Sequence, residues 1–182
     1  MMVVDKNRKV VFESYTQNRS GLLSFVQNYF ASDSDEDDEM YTSTDYSRDG
    51  EVVTLQDAIL GEGINLTFLG EGFVDKDMEP GGRYEQKMKE AMEKLFSMEP
   101  YKSMRNRFSV YAVKVVSPNA EFSPNAQHRI NEDQSICFEY AQKVPYAERN
   151  APMVTVIYNV DYDYGRSYCT SYTNDESFVC FI

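Results

Sequence analysis

Apolar residues recur along the chain in two spacings, which predict strands and helices in alternation. Short apolar runs occupy residues 64–69, 108–116 and 153–160, and their β-branched and aromatic content is typical of buried strands. Between them, residues 84–97 and 132–144 carry apolar side chains on one helical face. The β-α-β-α-β order predicts an α/β fold, with a mixed, mainly parallel sheet flanked by helices.

Two more extended pieces close the sequence, at residues 167–172 and 177–182. The polar turn Thr-Asn-Asp-Glu separates them, which predicts an antiparallel hairpin. The last piece is apolar, and no later element of the chain is available to cover it. We therefore expect a sheet domain that is incomplete at its C-terminus.

The N-terminal part of the chain differs from the rest in composition and in the spacing of its apolar residues. Residues 8–15 and 21–28 flank a polar turn and predict a hairpin, although the apolar spacing over residues 22–30 also fits an amphipathic helix. The acidic, polar stretch 33–44 has too few apolar residues to order itself and is interpreted as a linker. These segments give the expected domains, which are a hairpin at 1–32, a linker at 33–44 and an α/β domain at 45–182.

Charge and hydropathy exclude several functional classes. The 182 residues carry a formal net charge of −12 without any run of Lys or Arg, so we expect no nucleic acid partner. No apolar stretch is long enough to span a bilayer, and residues 1–9 are too charged for a signal peptide. The location of the protein stays unknown from these features.

Cys137, Cys169 and Cys180 lack Cys-x-x-Cys spacing, and we expect buried, reduced thiols.

Candidate chemistry is sparse. His128 is the only histidine, whereas a zinc hydrolase usually needs two or three imidazole ligands, and we expect it to be a loop residue. Asp161 and Asp163 follow a predicted strand and could hold a cation, although a solvated turn explains them as well. Tyr168 and Tyr172 belong to a tyrosine cluster that suits a ligand-facing edge, but tyrosine is also a good strand residue.

Three stretches resemble a known family. They are Asp-Tyr-Ser-Arg-Asp-Gly-Glu-Val-Val-Thr-Leu-Gln at 45–56, Gly-Glu-Gly-Ile-Asn-Leu-Thr-Phe-Leu-Gly-Glu-Gly-Phe at 61–73, and the helix-to-strand segment around 96–101 and 105–113. These stretches are similar to the opening of the catalytic domain of the IgA peptidase family of zinc metallopeptidases, metallopeptidase family 64. The resemblance covers roughly residues 45–182. Residues 8–28 resemble the last hairpin of the immunoglobulin-like module that precedes this domain in some bacterial secreted members.

The resemblance implies a zincin-like architecture, in which a helix with a His-Glu-x-x-His type of motif holds zinc and its glutamate activates a water molecule. No His-Glu pair occurs in this sequence, so no catalytic or metal residue of the family can be placed on it. We expect no cofactor in this chain and zinc only in a full-length relative. Full-length relatives are expected to be secreted or at the cell surface.

Two functions remain as predictions. The first is a partial zinc-metallopeptidase-like domain, inactive alone, which needs a missing C-terminal catalytic segment or associates with itself through its C-terminal strands. The alternative is a non-catalytic module that binds protein or glycan at its tyrosine-rich strand ends. Because the antiparallel edge strand of a zincin-like sheet binds substrate as an added strand, residues 167–172 or 177–182 would line such a cleft.

Overall fold

The structure is a computed structural model of the chain, and it describes residues 2–4, 10–13, 40–120, 125–160, 168–171 and 177–182. It divides into two compact units, Met1–Glu39 and Met40–Ile182. In the first unit, strand β1 (Met2–Val4) pairs antiparallel with strand β2 (Val10–Glu13). Strand β2 falls within the predicted first strand, 8–15, but its partner in the described residues is Met2–Val4. The predicted second strand, 21–28, lies outside the described residues.

The second unit is built on one sheet. Its strands in the described residues are β3 (Val52–Gln56), β4 (Ile64–Glu71), β5 (Phe108–Val113), β6 (Met153–Tyr158), β7 (Tyr168–Ser171) and β8 (Phe178–Phe181). Their order across the sheet is β3-β5-β4-β6-β8-β7. The central strands β5, β4, β6 and β8 are parallel, and the two outer strands are antiparallel to their neighbours. The predicted α/β fold with a mixed, mainly parallel sheet is thus confirmed.

Helices cover the two faces of this sheet. Helix α1 (Arg83–Leu95) follows β4, the short α2 (Tyr101–Met104) precedes β5, and α3 (Gln134–Ala141) precedes β6. Apolar residues of α1 pack with alternate residues of β4 and β5, whereas α3 packs against the residues that point the other way. Strand alternation therefore produces two cores, one on each face.

Most of the predicted strands and helices are present, and several are shorter than predicted. The strand expected over 108–116 ends at Val113, and the helix expected over 132–144 spans Gln134–Ala141. Strand β4 is longer than the predicted strand over 64–69, because it continues through Gly70 to Glu71. A side chain at position 70 would come within 2.6 Å of Phe73 and 2.8 Å of Tyr84, so a strand residue without Cβ is needed there.

The cysteines follow the expectation only in part. Cys137, on α3, is free and fully buried in the core, and burial raises the pKa of its thiol to about 12, which keeps the thiol neutral and unreactive. Cys180, in contrast, is disulfide-bonded, so the expectation of a reduced thiol is wrong at this position. The reason lies in strand pairing, because residue 180 in β8 lies directly opposite residue 169 in β7, and this pairing cannot be read from the spacing of the cysteines along the sequence.

Candidate functional site

The carboxyl ends of β4 and β5 meet around the buried carboxylate of Glu71. Its Oε1 accepts hydrogen bonds from Ser117 Oγ at 2.6 Å and from the Arg129 backbone N–H at 2.9 Å, and it also lies 3.4 Å from the Gly72 N–H. Its Oε2 accepts from the backbone N–H groups of Ile130 and Asn131. Glu71 is 1% exposed. With its lone pairs already occupied, this carboxylate acts as an internal anchor and has no capacity left for a metal or a substrate.

The same edge is closed further by polar contacts around Gly72. The Gly72 N–H donates to Ser117 Oγ at 2.8 Å, and the Gly72 carbonyl accepts from Asn159 Nδ2 at 2.9 Å. Asn159 Oδ1 in turn accepts from Arg83 at the start of α1. In an open α/β sheet the crevice beyond the strand ends is the usual ligand site. Here the chain fills that crevice with its own loop, 127–131, which Glu71 holds in place.

A second carboxylate, Asp75, anchors the segment that leads into the sheet unit. It accepts hydrogen bonds from Tyr41 Oη at 2.8 Å and from the backbone N–H groups of Thr44, Asp45 and Lys76 at 2.8–2.9 Å. Burial acts to raise the pKa of Asp75, but these hydrogen bonds outweigh it and lower the pKa to about 2. Residues 40–44 of the expected linker therefore contact the sheet unit.

The low pKa of Asp75 predicts an acid-dependent loss of stability. Because the folded-state pKa lies below the value of about 3.9 for an unfolded aspartate, the stabilisation is fully present above about pH 4 and is lost as the pH falls toward about 2. In urea unfolding between these two pH values, Asp75→Asn is expected to show a shallower pH dependence than the wild type. Asp57→Asn, at an exposed position, is the matched control and should keep the wild-type slope. Equal slopes for wild type and Asp75→Asn would contradict the assignment.

A polar cavity of about 330 Å³ opens beside α3. At its base Tyr140 Oη lies 2.8 Å from a carboxylate oxygen of Asp49 and accepts from Arg129 Nε at 3.2 Å. Arg129 also lies 3.6 Å from Asp49. Burial raises the pKa of Tyr140 to about 12, so the hydroxyl keeps its proton at neutral pH. The positive and negative groups neutralise one another, and the cavity offers no activated nucleophile.

An apolar cleft of about 280 Å³ lies on the α1 side of the sheet. Its lining consists of Ile64, Leu66, Leu95, Tyr101, Phe108, Met153, Thr155, Phe178 and Cys180. The cleft belongs to the same sheet face as the α1 core but is open to solvent. Strand β7 forms the edge of the sheet next to it, beyond β8. Among the residues that the structure describes, the cleft and the β7 edge together form a surface suited to bind an apolar or extended partner.

Of the sequence-predicted site residues, one lies within the residues that the structure describes. Tyr168 begins β7, with its backbone opposite Phe181. Asp161, Asp163 and Tyr172 lie outside the described residues, so their roles stay predictions.

Sequence reasoning missed Glu71, for which a weak signal existed. Glu71 is the one charged position in an otherwise uncharged run, 64–73, and a charge inside a strand requires buried partners.

Within the ranges that the structure describes, no three His, Cys, Asp or Glu side chains come together in a way that could hold a metal ion. His128 is half-buried in the loop that Glu71 anchors. Nor does any helix in the described ranges have the length and apolar character needed to cross a membrane.

Comparison with models of protein families and with characterised protein sequences gives no match for this chain. The class that the fold itself defines is an α/β domain with a four-stranded parallel centre, two antiparallel outer strands and helices on both faces.

Proposed function

We propose that residues 45–182 form the front part of a zinc-metallopeptidase-like catalytic domain of the IgA peptidase type. In this proposal the unit contributes the sheet and a substrate-binding edge. The zinc-binding helix comes from polypeptide outside these 182 residues, either in a longer product or in a second chain. The 182-residue chain alone is then inactive.

The first support is the location of the stretches that resemble the family. Residues 45–56 contain β3, 61–73 contain β4 and 105–113 contain β5, and these strands are neighbours in the sheet. The three stretches that resemble the family are separate in the sequence but form adjacent strands of one sheet. A chance resemblance has no reason to be contiguous in space.

The observation that carries the proposal is the antiparallel edge strand. The family's architecture uses such a strand to bind substrate as an additional strand, and β7 runs antiparallel to β8 at the end of a row of parallel strands. The outer side of β7 has no strand partner in the described residues. Its free N–H and C=O groups would pair with an extended peptide.

The apolar cleft supplies a docking place for the zinc-binding helix. Strand β8 is parallel to β4, and the segment after β4 returns over this face of the sheet as α1. A helix that follows β8 by the same kind of path would lie beside α1 and cover Met153 and Phe178. The occupant proposed for the cleft is therefore an amphipathic helix that carries the His-Glu motif on its other face.

The test compares zinc content and peptidase activity in two purified proteins. One is the 182-residue chain, and the other is the chain extended through the downstream reading frame. We expect stoichiometric zinc and activity only in the extended protein. Stoichiometric zinc in the short chain would overturn the proposal, and so would an extended protein that binds no zinc, which would instead favour a non-catalytic binding module.

A pair of substitutions in the extended protein tests the position of the helix. Phe178→Glu places a charge in the cleft and is expected to abolish zinc binding and activity. Ile59→Glu is the matched control, because Ile59 is an apolar side chain that is 76% exposed and is not part of the cleft lining. Equal zinc content in both variants, with folding checked by circular dichroism, would show that no helix packs in the cleft.

A further inference from the structure

We propose that the disulfide at Cys180 is a clamp that fastens the edge strand β7 to the sheet. Cys180 is disulfide-bonded, Cys137 is free, and the chain contains three cysteines. The remaining one, Cys169, occupies the position directly opposite Cys180 in the antiparallel register of β7 and β8. The bond therefore joins the two strands across one rung of the hairpin.

Strand β7 is the element of the sheet most in need of such a bond. It has four residues and, within the part of the chain that the structure describes, pairs on one side only, through four positions from Tyr168 to Ser171. Short edge strands are held weakly and can slip in register, and a slip by one residue would turn every side chain to the other face. The disulfide closes a short ring between positions 169 and 180. This ring lowers the population of conformations in which β7 is detached from the sheet by a factor of about 100.

The clamp makes the attachment of β7 depend on redox state. A dithiol reductant would break the S–S bond, transfer two electrons and two protons to give two thiols, and itself become a disulfide. Cys180 also lines the apolar cleft, so the same bond borders both parts of the candidate surface. This inference concerns strand attachment and stands apart from the proposed peptidase function, because it requires neither zinc nor a substrate.

The test is hydrogen exchange, followed by mass spectrometry, on the full 182-residue chain with and without dithiothreitol. Reduction is expected to speed exchange of the β7 amides about 100-fold, while exchange in the central strand β4 stays unchanged. Cys180→Ser should show the fast exchange with or without reductant. Cys137→Ala, which removes the free buried thiol, is the matched control and should respond as the wild type does.

Thiol alkylation in denaturant shows whether the disulfide is present in each sample at the start. One alkylated cysteine before reduction and three afterwards are expected for the wild type. Three alkylated cysteines before reduction would overturn the proposal, because no disulfide would be present. An intact disulfide whose reduction leaves β7 exchange unchanged would overturn it as well. Both results leave the zinc and activity test of the proposed function unaffected, so the two failures are distinguishable.

Discussion

Glu71→Gln is expected to lower the free energy of unfolding by about 3–5 kcal/mol, although the two side chains have nearly the same shape. The carboxylate accepts hydrogen bonds from Ser117 and from three consecutive backbone N–H groups, those of Arg129, Ile130 and Asn131. Glutamine replaces one oxygen by an NH₂ group, which would point its hydrogens at these donors. The amide must then leave the site, and several buried donors lose their acceptor.

Urea unfolding followed by circular dichroism measures this loss. Glu62→Gln, at an exposed position in the β3–β4 connection, makes the same chemical change and should leave the unfolding midpoint unchanged. Amide exchange of residues 129–131 gives a second readout, since these protons should lose protection in Glu71→Gln before the sheet unfolds. A loss below about 1 kcal/mol would show that Glu71 does not organise this loop.

Lys114→Met is expected to cost about 3 kcal/mol, because it removes the cation from a buried ion cluster. The ammonium of Lys114 is 0% exposed and lies 3.0 Å from a carboxylate oxygen of Glu51 and 3.5 Å from one of Glu85. Glu51 is 43% exposed, so water compensates it when the lysine is lost. Glu85, on α1, is only 11% exposed and would keep only the more distant ammonium of Lys89, 3.9 Å away and 54% exposed, as a partner.

A double-mutant comparison isolates this pair. If the weakly compensated Glu85 charge causes the loss, the combination of Glu85→Gln with Lys114→Met should recover part of the stability lost in Lys114→Met alone. Lys102→Met is the control, since Lys102 is exposed and its replacement should leave the urea midpoint close to wild type. Additive losses for the two cluster substitutions would contradict a direct interaction between α1 and Lys114.

The polar anchors and the candidate surface occupy different parts of the sheet unit. Glu71 and Asp75 use their hydrogen-bonding capacity to fix loops at the carboxyl ends of β4 and β5. The cleft and the β7 edge, in contrast, offer apolar side chains and backbone groups. A rigid scaffold with one open, adaptable side is suited to binding a chain segment, whether substrate or helix.

Local periodicity was sufficient for most elements of the sheet unit. The apolar run of β4, the one-sided pattern of α1 and the hairpin signal before β8 each depend on residues close in sequence. Strand β3 was not predicted, because the run Val-Val-Thr-Leu-Gln is short and only half-buried. Its place in the sheet comes from pairing with β5, more than fifty positions away.

By itself, the sequence determined the order and type of most elements and the α/β class, because short-range spacing controls these properties. Only the tertiary structure decided that β8 is inserted between β6 and β7, and that Cys180 forms a disulfide. The same holds for Glu71, whose main partners lie 46 to 60 positions away. Long-range partners are selected by strand order and by the need to satisfy buried polar groups, and no local pattern encodes either.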